Sequence, residues 1–555
     1  MADTSLTGEQ SAAFPILNEA QVDVLKTYGQ TKRVDAGDVL FEEGDDSYTF
    51  IIILSGEIEL TEQVGDERRV IVTHGAGKFL GELNLLIGQA VYLTATATQA
   101  GEVLELTLDA LKRVIAQEAG LSELIFKAFL LRRSILSGLG AGLRIVGSRY
   151  NPDTRRLREF AARNRLPHTW LDLEEDEGAD ALLAAFEVKP DETPVVLWQG
   201  GTLLTNPSNA ELASAIGLKR ELGADEVFDL AVVGAGPAGL AASVYGASEG
   251  LSTVALEATA PGGQAGTSSR IENYLGFPAG LSGAELASRA QVQADKFGAR
   301  FSVPSNVTGL RQEGGAYRLE LAGGNSVTAR SVVIATGARY RKLDVPGIEK
   351  YEGESVHYAA TEAEARTCAG DAVVVVGGGN SAGQAALFLS ESAAHVYLLI
   401  RGADLSASMS RYLSARIEEN DAVTLLTHTE VRRLVGEERI EGVEVENNQT
   451  GETQTLDATA LFVFIGAAAC TDWLAGTLHL DKAGFITTGR DVKKVCAGNP
   501  TWQPVERDPY LLETSLPGVF AVGDVRSGSV KRVASAVGEG SMAVSFVHQV
   551  LAEEV

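Results

Sequence analysis

The sequence predicts a multidomain protein in which an all-β module closed by helices is followed by a small α/β module and then by a larger α/β region built round two glycine turns. A chain of 555 residues is too long for one hydrophobic core and calls for about three to five domains. Short β-type runs recur between turns over residues 39–106, and two strand, glycine turn and helix units begin near Gly234 and Gly377. Composition agrees with a folded chain: 45% hydrophobic and 22% charged residues are ordinary, and 60 glycines against 15 prolines favour tight βα turns over proline-rich linkers. The formal charge of −27 repels polyphosphate backbones and anionic lipid, and no local basic patch offsets it. Nucleic acid and membrane are therefore not expected partners, and small-molecule chemistry is favoured. The opening MADTSLTGEQSAAF has neither the basic nor the apolar stretch of a signal peptide, and no apolar run reaches the roughly 18 residues of a membrane span. A cytoplasmic protein is expected. Cys368, Cys470 and Cys496 form no CxxC pair and no metal-ligand cluster, so free thiols and no metal site are expected.

The first module, residues 1–137, takes its β character from the runs VLFEEGDDSYTFIIILSGEIEL, RRVIVTH and AVYLTATATQAGEVLEL. Residues 108–139 then carry apolar side chains at helical spacing, which suits helices that close a barrel or pair with a second subunit. A homodimer is expected. The second module, residues 138–222, starts with the strand and turn LRIVGSRY. It continues through the helical TRRLREFAARNR, the strand TWLDLE, a helix near Ala179 to Phe186 and the strand TPVVLWQGG, in the order β-α-β-α-β. The stretch KRELGADEVFD is the expected hinge to the third region.

In that region FDLAVVGAGPAGLAASVYGASEGLSTVALE gives an apolar strand, then Gly234-x-Gly236-x-x-Gly239, a helix, and a second strand ending at Glu257. A lone turn of this type is weak evidence, but strand, helix and a well-spaced acid together are strong evidence for a Rossmann-like dinucleotide site. Gly234 permits the tight turn, Gly236 lets backbone approach a pyrophosphate, and Gly239 allows close packing of helix on strand. The helix N-terminus offers unpaired N–H groups to the anion, and Glu257 accepts from a ribose diol. The second unit, DAVVVVGGGNSAGQAALFLSESAAHVYLLIRG, has Gly377-x-Gly379-x-x-Ala382 and a second strand ending at Ile400-Arg401. No carboxylate stands there for a free 2′-hydroxyl, and the Arg401 guanidinium suits a 2′-phosphate, so NADP is favoured over NAD; the plain alternative is a solvated strand-end charge. Two sites in one chain suggest a tightly held flavin and an exchangeable nicotinamide, with the cofactors supplying the chemistry.

The third region also carries PGGQ at Pro261 to Gln264, then SSRIENYLGFP, the strand SVVIATGA, and PGVFAVGDV with Gly523 and Asp524. In this order these motifs resemble the small bacterial thioredoxin reductases, over about 330 residues from Asp225 to Val555. The resemblance implies an FAD-binding domain split into residues 223–345 and 466–555, with an NAD(P)H-binding domain, 346–465, inserted between. It implies FAD contacts from Gly234, Gly236, Gly239, Glu257, Gly263, Gln264, Asn273 and Asp524. Nicotinamide dinucleotide contacts are implied for Gly377, Gly379, Asn380, Ser381 and Arg401. Where the family carries a CATC-type dithiol, this chain reads Tyr358-Ala-Ala-Thr-Glu-Ala-Glu364, which sets Ala359 and Glu362 at the cysteine positions. Neither side chain can attack a disulfide. Glu362 is a candidate proton relay near the flavin, the plain alternative being an exposed carboxylate at a helix start. The family's paired arginines after a histidine are reduced to Ile400-Arg401-Gly402, which weakens NADPH specificity and keeps NADH possible. A longer segment, TTGRDVKKVCAGNPTWQPVERDPYLLETS, precedes the last motif as a cover for the flavin, a partner site or a surface loop.

Residues 15–137 resemble a cyclic-nucleotide-binding domain: a β-roll with Gly37, Gly44 and Gly56, then FLGELNLL, in which Glu82 matches the glutamate that holds the ribose hydroxyl. The arginine that should neutralise the cyclic phosphate is missing, since the matching stretch runs from Val91 to Thr96 without a cation. Burying a phosphate without a paired cation is costly, so docking, dimerisation or another ligand is expected of this module. Residues 140–222 resemble glutaredoxin, a thioredoxin-like α/β domain, in strand order and in Thr193-Pro194, where that fold keeps a cis-proline; its first turn, from Ser148 to Asp153, has no cysteine. The expected function is that of an FAD-dependent NAD(P)H oxidoreductase of thioredoxin-reductase type, passing electrons to an unidentified acceptor or redox protein without its own dithiol. The alternatives are a thioredoxin-disulfide reductase using partner or external thiols, and a flavin-bearing redox sensor or scaffold without turnover.

Overall fold

The computed structural model describes residues 12–45, 48–64, 67–81, 85–86, 91–138, 142–186, 188–198, 202–219, 222–223, 226–268, 270–352, 354–358, 360, 362–406, 408–437, 439–503, 505 and 507–553. The chain divides into two compact units, one of residues 1–232, 243–261 and 288–330, the other of 233–242, 262–287 and 331–555.

The first unit opens with a six-stranded antiparallel sheet. Its long central strands, Phe50–Val64 and Thr94–Leu106, pair with each other and are flanked by Glu67–Gly75 and Gln30–Val34. Phe50, Ile51, Ile52 and Ile53 are all fully buried and share one core with apolar side chains of the helix Ala119–Gly138. Phe129 of that helix meets Phe50 and Phe79 edge-on, a geometry that adds to area burial. A second sheet follows, with the order Thr202–Thr205, Val195–Trp198, Leu143–Val146, His168–Leu171. Only the pair Leu143–Val146 and His168–Leu171 is parallel, joined through the helix Pro152–Arg163. Asn151 caps that helix by accepting from the Asp153 N–H, and Pro152 occupies its first turn, where a missing N–H is harmless. The helix expected near Ala179 to Phe186 spans Glu177–Ala185, and the Thr193–Pro194 peptide is cis.

The two modules share apolar contacts. Val91, Tyr92 and Leu93, at the place where a phosphate-binding arginine was expected, are 3%, 3% and 6% exposed. Tyr92 meets Trp198 of the second sheet edge-on at 5.4 Å between ring centres, and Tyr92 and Leu93 belong to that module's core.

The third sheet has seven strands in the order Arg300–Ser302, Thr253–Leu256, Val227–Val233, Ser326–Ile334, Ala316–Leu321, Val307–Glu313, with Val519–Ala521 alongside Ser326–Ile334. In the second unit a fully parallel sheet runs Val356–His357, Ala460–Val463, Ala372–Val376, His395–Leu399, Val423–Leu426. Its central strands are continuous apolar runs because helices and loops cover both faces. An antiparallel sheet, Thr429–Val435, Gly442–Asn447 and Thr453–Leu456, adjoins it in sequence. The long segment before the last motif is packed rather than loose. Val492, Cys496 and Trp502 form a small core, and Arg507 pairs with the fully buried Glu513 at 2.6 Å and with Glu553 at 2.8 Å. No helix among the described residues is long and apolar enough to cross a membrane.

Candidate functional site

The first glycine turn follows the strand Val227–Val233 and enters the helix Pro237–Ser248. Gly234 stands at φ +100, and a Cβ there would lie 2.5 Å from the Ala335 carbonyl oxygen. Only glycine fits such a position. A Cβ on Gly239 would come within 1.9 Å of the Gly234 oxygen, so the helix sits directly on the turn. Gly236 and Gly263 face each other: a Cβ on Gly263 would lie 3.0 Å from the Gly236 Cα. Two bare backbones thus line a cradle that side chains would fill, and this suits the close approach of a pyrophosphate. The Gly262 N–H donates to the Ala235 carbonyl at 2.7 Å, and the Gln264 amide donates to the Ala338 carbonyl, which ties the PGGQ loop to the turn.

The last motif closes on the same helix. Gly523 and Gly540 both press on Ala238, a Cβ on Gly540 falling 2.2 Å from the Ala238 oxygen. Glu539 accepts from the Gly523 N–H at 2.7 Å and pairs with Arg526 at 2.5 Å, fixing the turn that presents Asp524. Burial pushes the Asp524 carboxyl above the usual range; Lys531 opposes this and Glu539 adds to it. A half-buried carboxylate of this kind is suited to accept from hydroxyl groups. Asn273 is exposed on the loop that follows PGGQ.

Glu257, in the first unit, ends the strand Thr253–Leu256. Its carboxylate is 8% exposed and accepts from the Thr259 and Ala260 N–H groups at 2.9 and 3.3 Å. The acid is thereby oriented by its own turn.

The second glycine turn repeats the plan. Gly377 stands at φ +144, and a Cβ there would lie 2.3 Å from the Phe464 oxygen and 3.2 Å from the Ala382 Cβ, so the third position tolerates alanine and the first does not tolerate a side chain. Gly379 caps the helix Asn380–Leu389. The chain between Arg401 and Arg411 folds back over the turn: the Ser410 N–H donates to Asn380 Oδ1 at 2.7 Å, and the Ser408 hydroxyl donates to the Gly378 carbonyl at 2.8 Å. Sequence reasoning missed this strap, whose only signal is its serine content. Arg401 follows the strand His395–Leu399, is exposed, and forms no ion pair among the described residues. Ser381 lines a cavity of about 120 Å³ with Thr267, Arg270, Gln384, Phe388 and Arg416, where Glu272 pairs with Arg416 at 3.5 Å. The second turn's helix is thereby brought beside the loop that carries Gly263, Gln264 and Asn273.

At the expected dithiol positions Ala359 lies outside the described residues, as does Glu82 of the first module. Glu362 opens the helix Glu362–Thr367, and its side chain is outside the described set. His357, just before, is 8% exposed, lies tilted against Phe462 at 5.0 Å between ring centres, and has no partner for Nε2 among the described residues. Burial lowers its pKa, with Glu364 opposing. Burial raises the Cys368 and Cys496 thiols to about 11, so neither is a thiolate at neutral pH. No cluster of metal-ligating side chains occurs among the described residues.

Residues 228–540 match the family model described as pyridine nucleotide-disulphide oxidoreductase, and residues 31–118 match the cyclic nucleotide-binding domain. The chain is 33% identical over 333 residues to a thioredoxin reductase of Mycolicibacterium smegmatis, covering 59% of this chain and 98% of the relative. It is 32% identical over 319 residues to a 34.2 kDa protein in the rubredoxin operon of Clostridium pasteurianum, covering 58% and 96%. Among solved structures, the thioredoxin reductase of Lactococcus lactis in its FR conformation matches with a TM-score of 0.52 at 27% identity, over 59% of this chain and 99% of that one. The thioredoxin reductase of T. acidophilum matches with a TM-score of 0.52 at 28% identity and the same coverage. With its paired glycine turns and this match, the chain belongs to the pyridine nucleotide-disulphide oxidoreductase family, as a thioredoxin-reductase-like, NAD(P)H-dependent flavoprotein oxidoreductase with FAD and NADPH as cofactors and a leading cyclic nucleotide-binding domain.

Proposed function

We propose that this chain oxidises NADPH through FAD and delivers the electrons to an external acceptor without a redox dithiol of its own. The observation that carries this reading is the pairing of two glycine turns with Ala359 and Glu362 at the family's dithiol positions, while burial pushes the Cys368 and Cys496 thiols up to about 11. When bound, the two cofactors supply hydride transfer from nicotinamide to flavin. The protein binds, orients and keeps water out. On this reading Gly234, Gly236, Gly239, Gly263 and Gln264 receive the FAD pyrophosphate side, Glu257 its ribose, and Asp524 and Asn273 the remaining polar groups. Gly377, Gly379, Asn380 and Ser381 receive the nicotinamide dinucleotide, with Arg401 meeting the 2′-phosphate as a charge-assisted donor. The first module serves as a docking element rather than a cyclic-nucleotide receptor, in keeping with the buried, cation-free stretch at Val91 to Leu93.

The test is steady-state NADPH oxidation by the full chain with a quinone, an iron–sulfur protein and an oxidised thioredoxin as separate acceptors. Turnover with the first or second supports the reading. Turnover confined to thioredoxin, and lost when partner or external thiols are withheld, favours a second reading that the relatives named thioredoxin reductase motivate, a disulfide reductase using thiols supplied by its partner.

A further inference from the structure

The turn that carries Glu257 is held from two sides. On the inner side its own carboxylate accepts from the Thr259 and Ala260 N–H groups at 2.9 and 3.3 Å. On the outer side Asn164, which ends the helix Pro152–Arg163 of the middle module, donates its side-chain amide to the Thr259 carbonyl at 2.9 Å. Asn164 is itself fixed. The same amide donates to the Phe160 carbonyl at 2.9 Å, and Arg133, from the helix Ala119–Gly138 of the first module, donates through Nη2 to the Asn164 carbonyl at 3.1 Å. Arg133 also donates through Nε to the Arg165 carbonyl, and the Arg165 guanidinium donates to the Ser288 hydroxyl on the helix Gly283–Lys296. Arg165 stands at φ +54, a left-handed conformation that a long side chain rarely adopts and that neighbouring contacts must hold. Arg133 and Ser288 are 5% and 2% exposed, so this set of bonds is shielded from water. Nearby, Arg289 pairs with Glu123 at 3.2 Å and Val292 joins the first module's core.

From these contacts we propose that Asn164, on the middle module and braced by Arg133 of the first, is a positioning residue for the turn that presents Glu257 to the FAD ribose. Neither Asn164 nor Arg133 falls within residues 228–540, the segment matched to the family. The physical role is preorganisation: a turn clamped before the cofactor arrives loses less freedom on binding, and the gain shows as slower release. The inference rests on the reading of Glu257 as the ribose ligand.

The experiment measures FAD release from the full-length holoprotein on dilution, followed by recovery of free-flavin fluorescence, for the wild type, N164A, the isosteric N164D and E257Q, with KM for NADPH measured on each. Both variants lose the two side-chain bonds of Asn164, and loss of the one to Thr259 predicts about five-fold faster release for N164A and at least that for N164D, with KM for NADPH unmoved and faster release from E257Q. Fast release from E257Q with wild-type release from both Asn164 variants overturns the proposal alone, whatever their melting temperatures. Wild-type release from E257Q removes the ribose reading and the proposal with it.

Discussion

The two glycine turns are built alike and finished differently. Each follows a buried strand and opens a helix, and each has a first glycine whose Cβ would strike a backbone oxygen, Ala335 at 2.5 Å in one and Phe464 at 2.3 Å in the other. The first turn's second strand ends in a buried carboxylate held by two backbone N–H groups, and the PGGQ loop is stitched to the turn by hydrogen bonds. The second ends in an exposed arginine with no ion pair among the described residues, beside a strap held by the Ser408 and Ser410 bonds. A clamped polar site suits a resident cofactor, and an open cationic one suits a ligand that comes and goes. On the proposed reading, the same local fold is specialised for retention or for exchange by what stands at its strand end.

That contrast is broken most severely by adding a methyl group to each turn. G239A drives a Cβ into the Gly234 oxygen at 1.9 Å, and the purified protein is expected to lose most of its flavin, read from the ratio of flavin to protein absorbance. G377A meets the Phe464 oxygen in the second unit's own turn. It is expected to stay yellow while its bleaching by NADPH slows on the order of 100-fold, from roughly 3 kcal/mol of overpacking. If both variants lose flavin, the division of labour between the turns is wrong.

A smaller change sharpens the comparison at the strand ends. On the proposed role of Arg401, R401A removes a charge-assisted contact of about 1.5 to 3 kcal/mol, so KM for NADPH should rise about 10- to 100-fold while KM for NADH stays put. An equal rise for both dinucleotides would make Arg401 a general electrostatic residue.

The thiols give smaller effects. Burial pushes the Cys368 and Cys496 thiols up to about 11 in the folded protein, against about 8.5 for an unperturbed thiol. The stability they contribute is therefore fully present below the unfolded value and is lost as pH rises through about 11, because the unfolded chain releases those protons first. Alkylation of the native protein should accordingly be slow at pH 8 and accelerate towards pH 11, as mass spectrometry of each cysteine would show. The smallest expected effect is none: the triple variant C368S/C470S/C496S should retain turnover within about two-fold, within the range of surface or isosteric changes. Loss of turnover would return a thiol to the electron path.

What the sequence discloses follows from how local each constraint is. Gly234, Gly239 and Gly377 are demanded by sterics within a few residues of their own chain, so spacing alone exposes them. The apolar runs DLAVV and AVVVV likewise announce buried strands. Missing from any local pattern are the long-range bonds. Nothing near Asn164 points to Thr259, and nothing in AVYLTAT tells that Tyr92 turns into the middle module against Trp198. The segment around Trp502 reads as a loop because its partners, Glu513, Ser515 and Glu553, become neighbours only on folding; Trp502 donates to the Ser515 carbonyl at 2.8 Å and is 5% exposed. The absence of a cation between Val91 and Thr96 was legible, and with it the expectation of docking, dimerisation or another ligand, but not that Tyr92 and Leu93 join the middle module's core, because a missing charge says nothing of what replaces it.

The central claim is that one turn holds a flavin and the other feeds it from NADPH. Anaerobic stopped-flow absorbance at the flavin band, on the purified full chain mixed with NADPH and separately with NADH, tests it most directly. Rapid bleaching by NADPH, with slower bleaching by NADH at equal concentration, is the predicted result. A flavin that neither nucleotide bleaches would contradict the account.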